Sequence, residues 1–240
     1  MKKGKMNKII GILLFPRVTN QDYIGMYEVF SRIPGYSVAL ISKQKGLIET
    51  EGGLKIMTDY SFNDIKKTDI LFIPGGMGIN GVLQDREQLE FIWKMGTSAE
   101  YITSVCTGSL TLAVTGLLDG YIATTHWRYL SLLKDFGVKI SEDRVVVDRN
   151  RITGGGVTAG IDLALKLVGL LLDTSVAKMI ELQLEYNPQP PYGTGHPRLA
   201  DAHTLNMVME KTEKVFLERK EIMNKLKSQS SDFFNRGFSA

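Results

Sequence analysis

Five apolar runs of strand length restrict the fold more than any other feature of this chain. Most of them are apolar throughout instead of alternating between apolar and polar residues, which is typical of parallel strands covered by helices on both faces. Helical patterns lie between the runs, as an α/β layered domain requires. The runs occupy residues 8–15, 36–42, 69–76, 101–106 and 151–156.

The first predicted helix, residues 21–33, has one apolar face. Its apolar residues recur at the helical spacing i, i+3, i+4 and i+7, and they are Met26, Val29, Phe30 and Ile33. Asp22 lies one turn before Met26 on that face. We therefore expect its carboxyl group to point with the buried side of the helix.

Further elements are predicted in the second half of the chain. Residues 145–153 are expected to form a hairpin that turns at Arg149 and Asn150. Residues 158–172 are apolar nearly all round, which indicates a buried helix with Thr158 as its N-cap. A last helical pattern runs from about 200 to 227, and the residues from 228 onward are expected to be frayed.

Composition and charge exclude several classes of protein. The chain has 240 residues, of which 43% are hydrophobic, and a formal net charge of +3 that is too small and too evenly spread for nucleic-acid binding. No run approaches the roughly 20 apolar residues of a membrane span. The basic start followed by IIGILLF imitates a signal peptide, but no small-residue cleavage site follows, so we interpret it as the first strand. A single cysteine excludes an internal disulfide and fits a reducing cytoplasm.

That cysteine, Cys106, stands where a predicted strand meets a helix, in the sequence YITSVCTGSLTL. Such a junction exposes a nucleophile above the carboxyl ends of the strands, where open α/β sheets bind ligands. The helix that begins at Thr107 directs unpaired N–H groups toward the sulfur and favours the thiolate, while Gly108 allows the helix to approach the strand closely. A buried cysteine without chemistry is the alternative. We interpret Cys106 as a nucleophile.

A thiolate nucleophile needs a group that handles protons, and Asp22 is the candidate by position. Burial and a neighbouring thiolate would both raise the pKa of Asp22, whereas the alternative is that it only caps its helix. Two glycine-rich turns, residues 73–78 and 153–160, are expected at the same sheet edge. Their N–H groups can face developing negative charge, although each pattern also fits a simple tight turn.

Metal chemistry has little support in the sequence. The histidines are His126, His196 and His203, which form no HxH or HxxxH spacing, and the lone cysteine offers no CxxC pair. The GxSxG motif of a serine hydrolase is also missing. His126, next to Trp127, is more typical of a packed histidine than of a catalyst. We expect no metal site.

Several sequence blocks together resemble the DJ-1/PfpI superfamily and, within it, the isonitrile hydratases, from about residue 8 to 198. They are FPRVTNQDYIG, LFIPGG, SVCTGSLTLAVTGLLDG, ATTHW, TGGGVTAGID and LQLEYNPQPPYGTG. The resemblance implies a flavodoxin-like three-layer α/β sandwich with a mostly parallel central sheet. It implies one domain over residues 1–198, followed by a C-terminal helix and polar tail, residues 199–240, packed on the domain or on a dimer partner.

The resemblance also implies an activity. The protein is expected to be a cytoplasmic homodimer that uses no metal or organic cofactor. Its substrate would be a small molecule, an isocyanide, which it hydrates to an N-substituted formamide. Neither nucleic acid nor a membrane is expected as a partner.

Individual residues match the family pattern. Cys106 matches the nucleophile that forms a thioimidate, Asp22 the acidic partner that protonates the isocyanide carbon and later activates water, and Thr107 the threonine after the cysteine. The residues implied to line the substrate pocket are Gly76, Gly155, Val157 and His126. Met26 follows Gly25 at a position where the family often has proline. The loss of this proline is expected to alter the helix start or the pocket lining and not the chemistry.

Other members of the superfamily provide alternatives. Proteases, chaperones and glyoxalase-like or deglycase-like enzymes often carry histidine after the cysteine, so Thr107 weakens a protease interpretation. A closely similar domain forms the ligand-binding part of AraC-type regulators, but we expect the residues after Pro197 to be too few for their helix-turn-helix region. The main alternative is therefore a non-catalytic sensor of a small molecule or of oxidative stress, because a low-pKa thiol is easily oxidised.

Overall fold

The secondary structure is given by a computed structural model that describes residues 7–237, with side chains described for residues 7–228. The strands are β1 (Lys8–Leu13), β2 (Tyr36–Ser42), β3 (Leu47–Glu49), β4 (Lys55–Met57), β5 (Tyr60–Ser61), β6 (Ile70–Ile73), β7 (Tyr101–Val105), β8 (Ile122–Ala123), β9 (Lys139–Ile140), β10 (Val145–Asp148) and β11 (Arg151–Gly154). The helices are α1 (Asn20–Phe30), α2 (Ile79–Gln84), α3 (Arg86–Ser98), α4 (Gly108–Val114), α5 (Leu130–Leu133), α6 (Ala159–Leu171), α7 (Thr174–Gln183) and α8 (Ala202–Gly237), with short 3-10 turns at Trp127–Tyr129 and Lys134–Phe136.

Seven of the strands form the central sheet, in the order β10, β11, β7, β6, β1, β2, β5. All neighbouring strands pair in parallel except β10 and β11, which form the predicted hairpin. Helices α1 and α6 pack together on one face, and α2, α3 and α4 pack together on the other. The expected flavodoxin-like three-layer sandwich with a mostly parallel sheet is confirmed.

The central strands are buried on both faces, as their continuous apolar sequences predict. All four residues of β6 are fully buried, and so are Ile10 and Ile12 of β1. On α1, the four predicted face residues from Met26 to Ile33 are at most 3% exposed, and Asp22 on the same face is 0% exposed. The helical spacing therefore placed this carboxyl correctly.

Several short elements were not predicted, and some predicted ones differ in detail. The sequence indicated neither β3 nor the parallel pair of β8 and β9, because two or three residues carry no readable period. Thr158 occupies the N-cap of α6 but makes no capping hydrogen bond, since its Oγ1 accepts from Arg144 instead. The expectation that α6 is buried all round is wrong for its last turn, where Leu170 is 50% exposed.

The C-terminal helix α8 is longer than its apolar spacing suggested. It continues to Gly237, past the predicted end at about 227. The expected fraying from 228 onward stays a prediction, and residues 238–240 lie outside the described part. Helix α8 packs on α2, α4 and the turn at Trp127–Tyr129, where its Phe216 ring lies 6.0 Å from that of Tyr129. Within residues 7–237, no helix combines the length and apolar composition that crossing a membrane requires.

Candidate active site

The carboxyl ends of four neighbouring strands meet at one edge of the sheet, in the order β11, β7, β6 and β1. The segments that follow them begin with Gly155, with Cys106, with the turn 74–78 and with the loop that leads to Asp22. From β1 the chain passes to β2 on one side and later returns to β6 on the other. This is a topological switch point, where open α/β sheets bind ligands.

Cys106 occupies the predicted tight turn between β7 and α4, which we call the elbow. Its φ is 52°, a left-handed conformation that a side chain rarely adopts and that must be held by its surroundings. The N–H of Cys106 donates to the Gly155 carbonyl at 2.7 Å, and its carbonyl accepts from Thr125 Oγ1 at 2.6 Å. Both backbone groups of the strained residue are therefore fixed, so the sulfur has a defined position.

The close approach of α4 to the sheet depends on Gly108. A Cβ at this position would lie 2.2 Å from the Ile73 carbonyl oxygen, which is backbone and cannot move aside. We expect Gly108→Ala to lower the free energy of unfolding by about 3 kcal/mol or more, measured by urea denaturation. The control is Gly81→Ala in α2, where a Cβ meets open space and alanine is expected to stabilise by about 0.5–1 kcal/mol. A loss below about 1 kcal/mol for Gly108→Ala would contradict this account of the elbow.

Asp22 is a buried carboxyl beside the cysteine. Its Oδ2 accepts from the Gly75 N–H at 2.7 Å, and its Oδ1 has no hydrogen-bond partner of ordinary geometry among the described residues. Burial raises the pKa of Asp22 to about 7, against the lowering effects of the Gly75 hydrogen bond and of the adjacent Cys106 thiol. The capping alternative is wrong, because the N-cap of α1 is Thr19. A carboxyl with a pKa near neutrality can both accept and donate a proton.

The ionisation of Cys106 differs from the expectation. Burial, and then the Asp22 charge, raise the pKa of the thiol well above its ordinary value, although the N–H and hydroxyl of Thr107 and the Arg219 charge act in the opposite direction. The predicted resting thiolate is therefore wrong, because desolvation of a side chain that is only 6% exposed outweighs the field of the helix N-terminus. A thiol whose pKa is raised in this way favours the neutral form, and it needs a base nearby to become a nucleophile.

Three N–H groups of the glycine turns are bonded to other parts of the protein. The Gly75 N–H is bonded to Asp22, the Gly76 N–H donates to Thr107 Oγ1 at 3.1 Å, and the Gly155 N–H donates to the Arg144 carbonyl at 2.9 Å. These three N–H groups are therefore engaged within the protein, and the assignment of Gly76 and Gly155 to the substrate pocket stays a prediction. The structure nevertheless brings Cys106, Asp22 and Thr107 together through these turns.

His126 and Val157 are the two remaining predicted pocket residues, and they follow β8 and β11. Burial, together with the Arg219 and Arg128 charges, lowers the pKa of His126 to about 4, so its ring is neutral near pH 7. Its Nδ1 accepts a hydrogen bond from the Arg128 N–H at 3.3 Å. Val157 packs partly buried against the core. In the described part of the chain, no hydrogen bond links either residue to Cys106 or Asp22. Their assignment to the substrate pocket stays a prediction.

Two residues near the site were missed. Thr125 belongs to the quoted ATTHW block, so its hydroxyl was visible in the sequence, but its bond to the Cys106 carbonyl was not. Arg219 of α8 is only 1% exposed; its Nε donates to Asn80 Oδ1 at 2.8 Å and its Nη2 to the Gly76 carbonyl at 3.4 Å. In the sequence it is one charge among many on an amphipathic helix, so no local signal distinguished it.

A surface cavity of about 770 Å³ lies beside this edge, between α2, α8 and the start of the β1–α1 loop. It is lined by Phe15, Asn80 and Glu218 among others, but by neither Cys106 nor Asp22. We therefore assign the candidate site by its chemistry and not by cavity size. In the described residues, no group of three or more His, Cys, Asp or Glu side chains is placed to hold a metal ion.

Comparison with known proteins agrees with this geometry. The isonitrile hydratase of Pseudomonas putida is 40% identical over 213 residues, which cover 89% of this chain and 93% of that protein. The crystal structure of a ThiJ/PfpI family protein from Pseudomonas syringae matches with a TM-score of 0.88 and 36% identity over 90% of both chains. The HTH-type transcriptional regulator GbdR of Pseudomonas aeruginosa is 35% identical over 119 residues, or 49% of this chain and 32% of the regulator. Residues 8–170, from β1 to the end of α6, match the model of the DJ-1/PfpI family, and with the elbow cysteine and its carboxyl in place the chain belongs to that family.

Proposed function

We propose that this protein is an isonitrile hydratase, which adds water to an isocyanide and releases an N-substituted formamide. The observation that carries the proposal is the pair formed by Cys106 on its strained elbow and Asp22, whose pKa is about 7. A nucleophile whose proton must be moved thus lies beside a group able to move it. The similarity to the Pseudomonas putida hydratase over most of both chains supports this reaction over others in the family.

The shape of an isocyanide suits this site. Its terminal carbon is exposed, linear and uncharged, so it can approach a thiol of which only 6% is exposed, and it needs no cationic clamp for recognition. The strand and the helix that flank Cys106 contribute fully buried apolar residues, Val105 and Leu110. A bulky or charged electrophile would fit such a site poorly.

In the first step, ionised Asp22 takes the proton of the Cys106 thiol while the sulfur forms a bond to the terminal carbon of the isocyanide. Asp22 then delivers this proton to the same carbon, which gives a thioimidate, R–N=CH–S–Cys106. The Thr107 N–H and hydroxyl stabilise the charge on the sulfur as the proton leaves. The neutral resting thiol is consistent with this step, because the proton that it carries is the one the product carbon requires.

In the second step, Asp22 acts as a base toward water. The water oxygen bonds to the thioimidate carbon, the proton passes through Asp22 to the nitrogen, and a tetrahedral species, R–NH–CH(OH)–S–Cys106, results. Its collapse breaks the C–S bond, and the hydroxyl proton returns through Asp22 to the sulfur. Formamide leaves and the neutral thiol is restored, so that the net change is the addition of one water.

The test is to incubate the purified protein with a panel of alkyl, benzyl and cyclohexyl isocyanides in ¹⁸O-labelled water and to detect products by mass spectrometry. We expect N-substituted formamide that carries one ¹⁸O atom, and in rapid-quench samples a protein adduct with the added mass of the isocyanide. If no member of the panel is turned over, the proposal is wrong.

A non-catalytic small-molecule sensor is the second candidate, favoured by the similarity to the regulator GbdR. In that case isocyanides or other small ligands bind saturably without product formation. The oxidative-stress version has less support, because a buried thiol with a raised pKa is a poor substrate for oxidants.

We also propose that the protein works in the cytoplasm as a homodimer, as members of its family commonly do. Exposed apolar side chains on α6 and α7 support a contact surface there: Leu170, Met179 and Leu182 are 50%, 57% and 82% exposed. Light scattering is expected to give twice the mass of one chain, and Leu182→Glu to shift the protein toward monomer. The matched control is Met207→Glu on α8, at an apolar residue that is 58% exposed, which is expected to leave the mass unchanged. A monomeric wild type would refute the proposed dimer. A Leu182→Glu variant that stays dimeric would show that the interface does not include this surface of α6 and α7.

A further inference from the structure

We propose that Arg219, from the C-terminal helix α8, is a positioning residue of the active site, whose guanidinium holds the Gly76 turn and supplies the positive charge that balances the Cys106 sulfur when it ionises. The inference rests in part on the proposed function, because its kinetic consequence concerns isocyanide hydration. Its electrostatic consequence does not depend on the substrate.

Arg219 is buried, and among the described residues it has no close carboxylate partner. Its side chain is 1% exposed, and its two hydrogen-bond acceptors, Asn80 Oδ1 and the Gly76 carbonyl, are both neutral. Among the described side chains, no carboxylate lies within ion-pair distance of it. Buried charges are normally paired, so the positive charge of Arg219 is available to a group that becomes negative during the reaction.

Several ionisable groups surround the Arg219 charge. Tyr129, Glu51 and Glu218 interact with Arg219 from the 3-10 turn, from the segment after β3 and from α8 itself, and the guanidinium lies 4.4 Å from the centre of the Tyr129 ring. Cys106 also interacts with it, and the Arg219 charge lowers the pKa of the thiol while Asp22 raises it. The cation and the carboxyl thus act in opposite directions on the same sulfur.

Two hydrogen bonds connect Arg219 of α8 to Thr107, the residue that follows Cys106. Arg219 donates to the Gly76 carbonyl at 3.4 Å, and the N–H of the same glycine donates to Thr107 Oγ1 at 3.1 Å. The N–H and hydroxyl of Thr107 in turn lower the pKa of the Cys106 thiol. Gly76 has a φ of 140°, and a Cβ at this position would lie 2.6 Å from Thr19 N and 2.7 Å from the Arg17 carbonyl oxygen. The Gly76 peptide is therefore held between the backbone of this loop and the Arg219 guanidinium. Removing the guanidinium is expected to loosen Thr107 as well as to delete a charge.

These contacts predict an effect on the chemical step rather than on binding. An isocyanide is uncharged, whereas the sulfur carries negative charge only as its proton leaves, so a fixed cation stabilises the transition state more than the bound substrate. We therefore expect Arg219→Met to lower kcat for isocyanide hydration about tenfold with KM changed less than about twofold. Arg219→Lys keeps the charge and is expected to recover most of the loss.

The deciding measurement is the rate at which iodoacetamide alkylates Cys106 at a pH of about 8, where the rate follows the thiolate fraction. Because Cys106 is the only cysteine, the rate reports this thiol alone. We expect Arg219→Met to react about tenfold more slowly than the wild type and Arg219→Lys within about threefold of it. A rate for a folded Arg219→Met protein equal to or above that of the wild type would overturn the proposal.

The matched control is Arg128→Met. Arg128 also anchors α8 with a side chain that is only 8% exposed, since it pairs with Glu213 and its guanidinium lies 4.0 Å from the centre of the Phe216 ring. Unlike Arg219, it is not among the groups that shift the pKa of the Cys106 thiol. Its loss is expected to leave the alkylation rate unchanged; an equal slowing in both variants would show a general effect of loosening α8 and overturn the proposal.

A second variant covers failure of Arg219→Met to fold. Asn80→Ala removes the acceptor of Arg219 Nε and is expected to slow alkylation in the same direction by a smaller factor, so an unchanged rate there counts against the proposal. The two proposals also fail separately. Slower alkylation without any isocyanide turnover would remove the hydratase function and keep the role of Arg219, whereas turnover with unchanged alkylation would do the reverse.

Discussion

Cys106→Ser is expected to lower kcat for isocyanide hydration by at least about 10³-fold, although it replaces one atom of the side chain. A serine hydroxyl is a far weaker acid than a thiol, so Asp22, with a pKa of about 7, cannot withdraw its proton to a useful extent. The measurement is formamide production by mass spectrometry under substrate saturation. In rapid-quench samples the isocyanide adduct that the wild type forms should be missing.

The control for this prediction is structural. The backbone of residue 106 is held by Gly155 and Thr125 through its N–H and carbonyl, and neither bond involves the sulfur. Cys106→Ser should therefore fold with a thermal unfolding midpoint close to that of the wild type. Turnover within about tenfold of the wild type would show that the sulfur is not the nucleophile, and the hydration would then need another group at this sheet edge.

The features of the site that follow from local sequence could be predicted. The elbow at Cys106 is encoded by an apolar strand, a turn and a glycine that permits close packing, all within a few residues. The burial of Asp22 follows from helical spacing relative to Met26. Both depend on backbone geometry that repeats over one or two turns, so one sequence suffices to locate them.

The features that depend on distant contacts could not be predicted. Arg219 bonds to Gly76 across 143 positions in the sequence, and its helix contains many other charged residues. The same holds for the N–H groups of the glycine turns, which the sequence shows as donors but whose acceptors lie on other loops. Strands β8 and β9 pair over two residues each, which is too short for a periodic pattern.

The thiol pKa illustrates a balance of magnitudes that a sequence pattern cannot settle. The helix N-terminus at Thr107 was correctly located, and its N–H does favour the thiolate. The degree of burial of Cys106, however, depends on how α4, the glycine turns and α8 close around it. Since full desolvation of an ionisable group outweighs the field of one helix terminus, the direction of the pKa shift reversed.

Asp22→Asn is expected to lower kcat by about 10²- to 10⁴-fold, because the amide can neither take the thiol proton nor deliver it to carbon. The wild-type rate should fall as the pH drops through about 7, since only the ionised carboxyl accepts this proton. The variant should lack this acidic limb. A wild-type rate that stays level from pH 8 down to about 5 would contradict the role of Asp22 as the base.

The same substitution should stabilise the fold in alkaline solution, which separates lost chemistry from lost structure. The pKa of Asp22 is about 7 in the folded protein and 3.8 in the unfolded chain. Between these values the folded protein binds more protons than the unfolded chain, so it loses stability as the pH rises through them. At a pH of about 8 the wild type carries the full cost of the buried charge, up to about 4 kcal/mol, which asparagine avoids while still accepting the Gly75 N–H. Urea denaturation should therefore show Asp22→Asn to be the more stable protein at pH about 8 and close to the wild type at pH about 4. A difference that does not change with pH would mean that Asp22 is not a buried, titrating carboxyl, and the proton transfer to Cys106 would need another base.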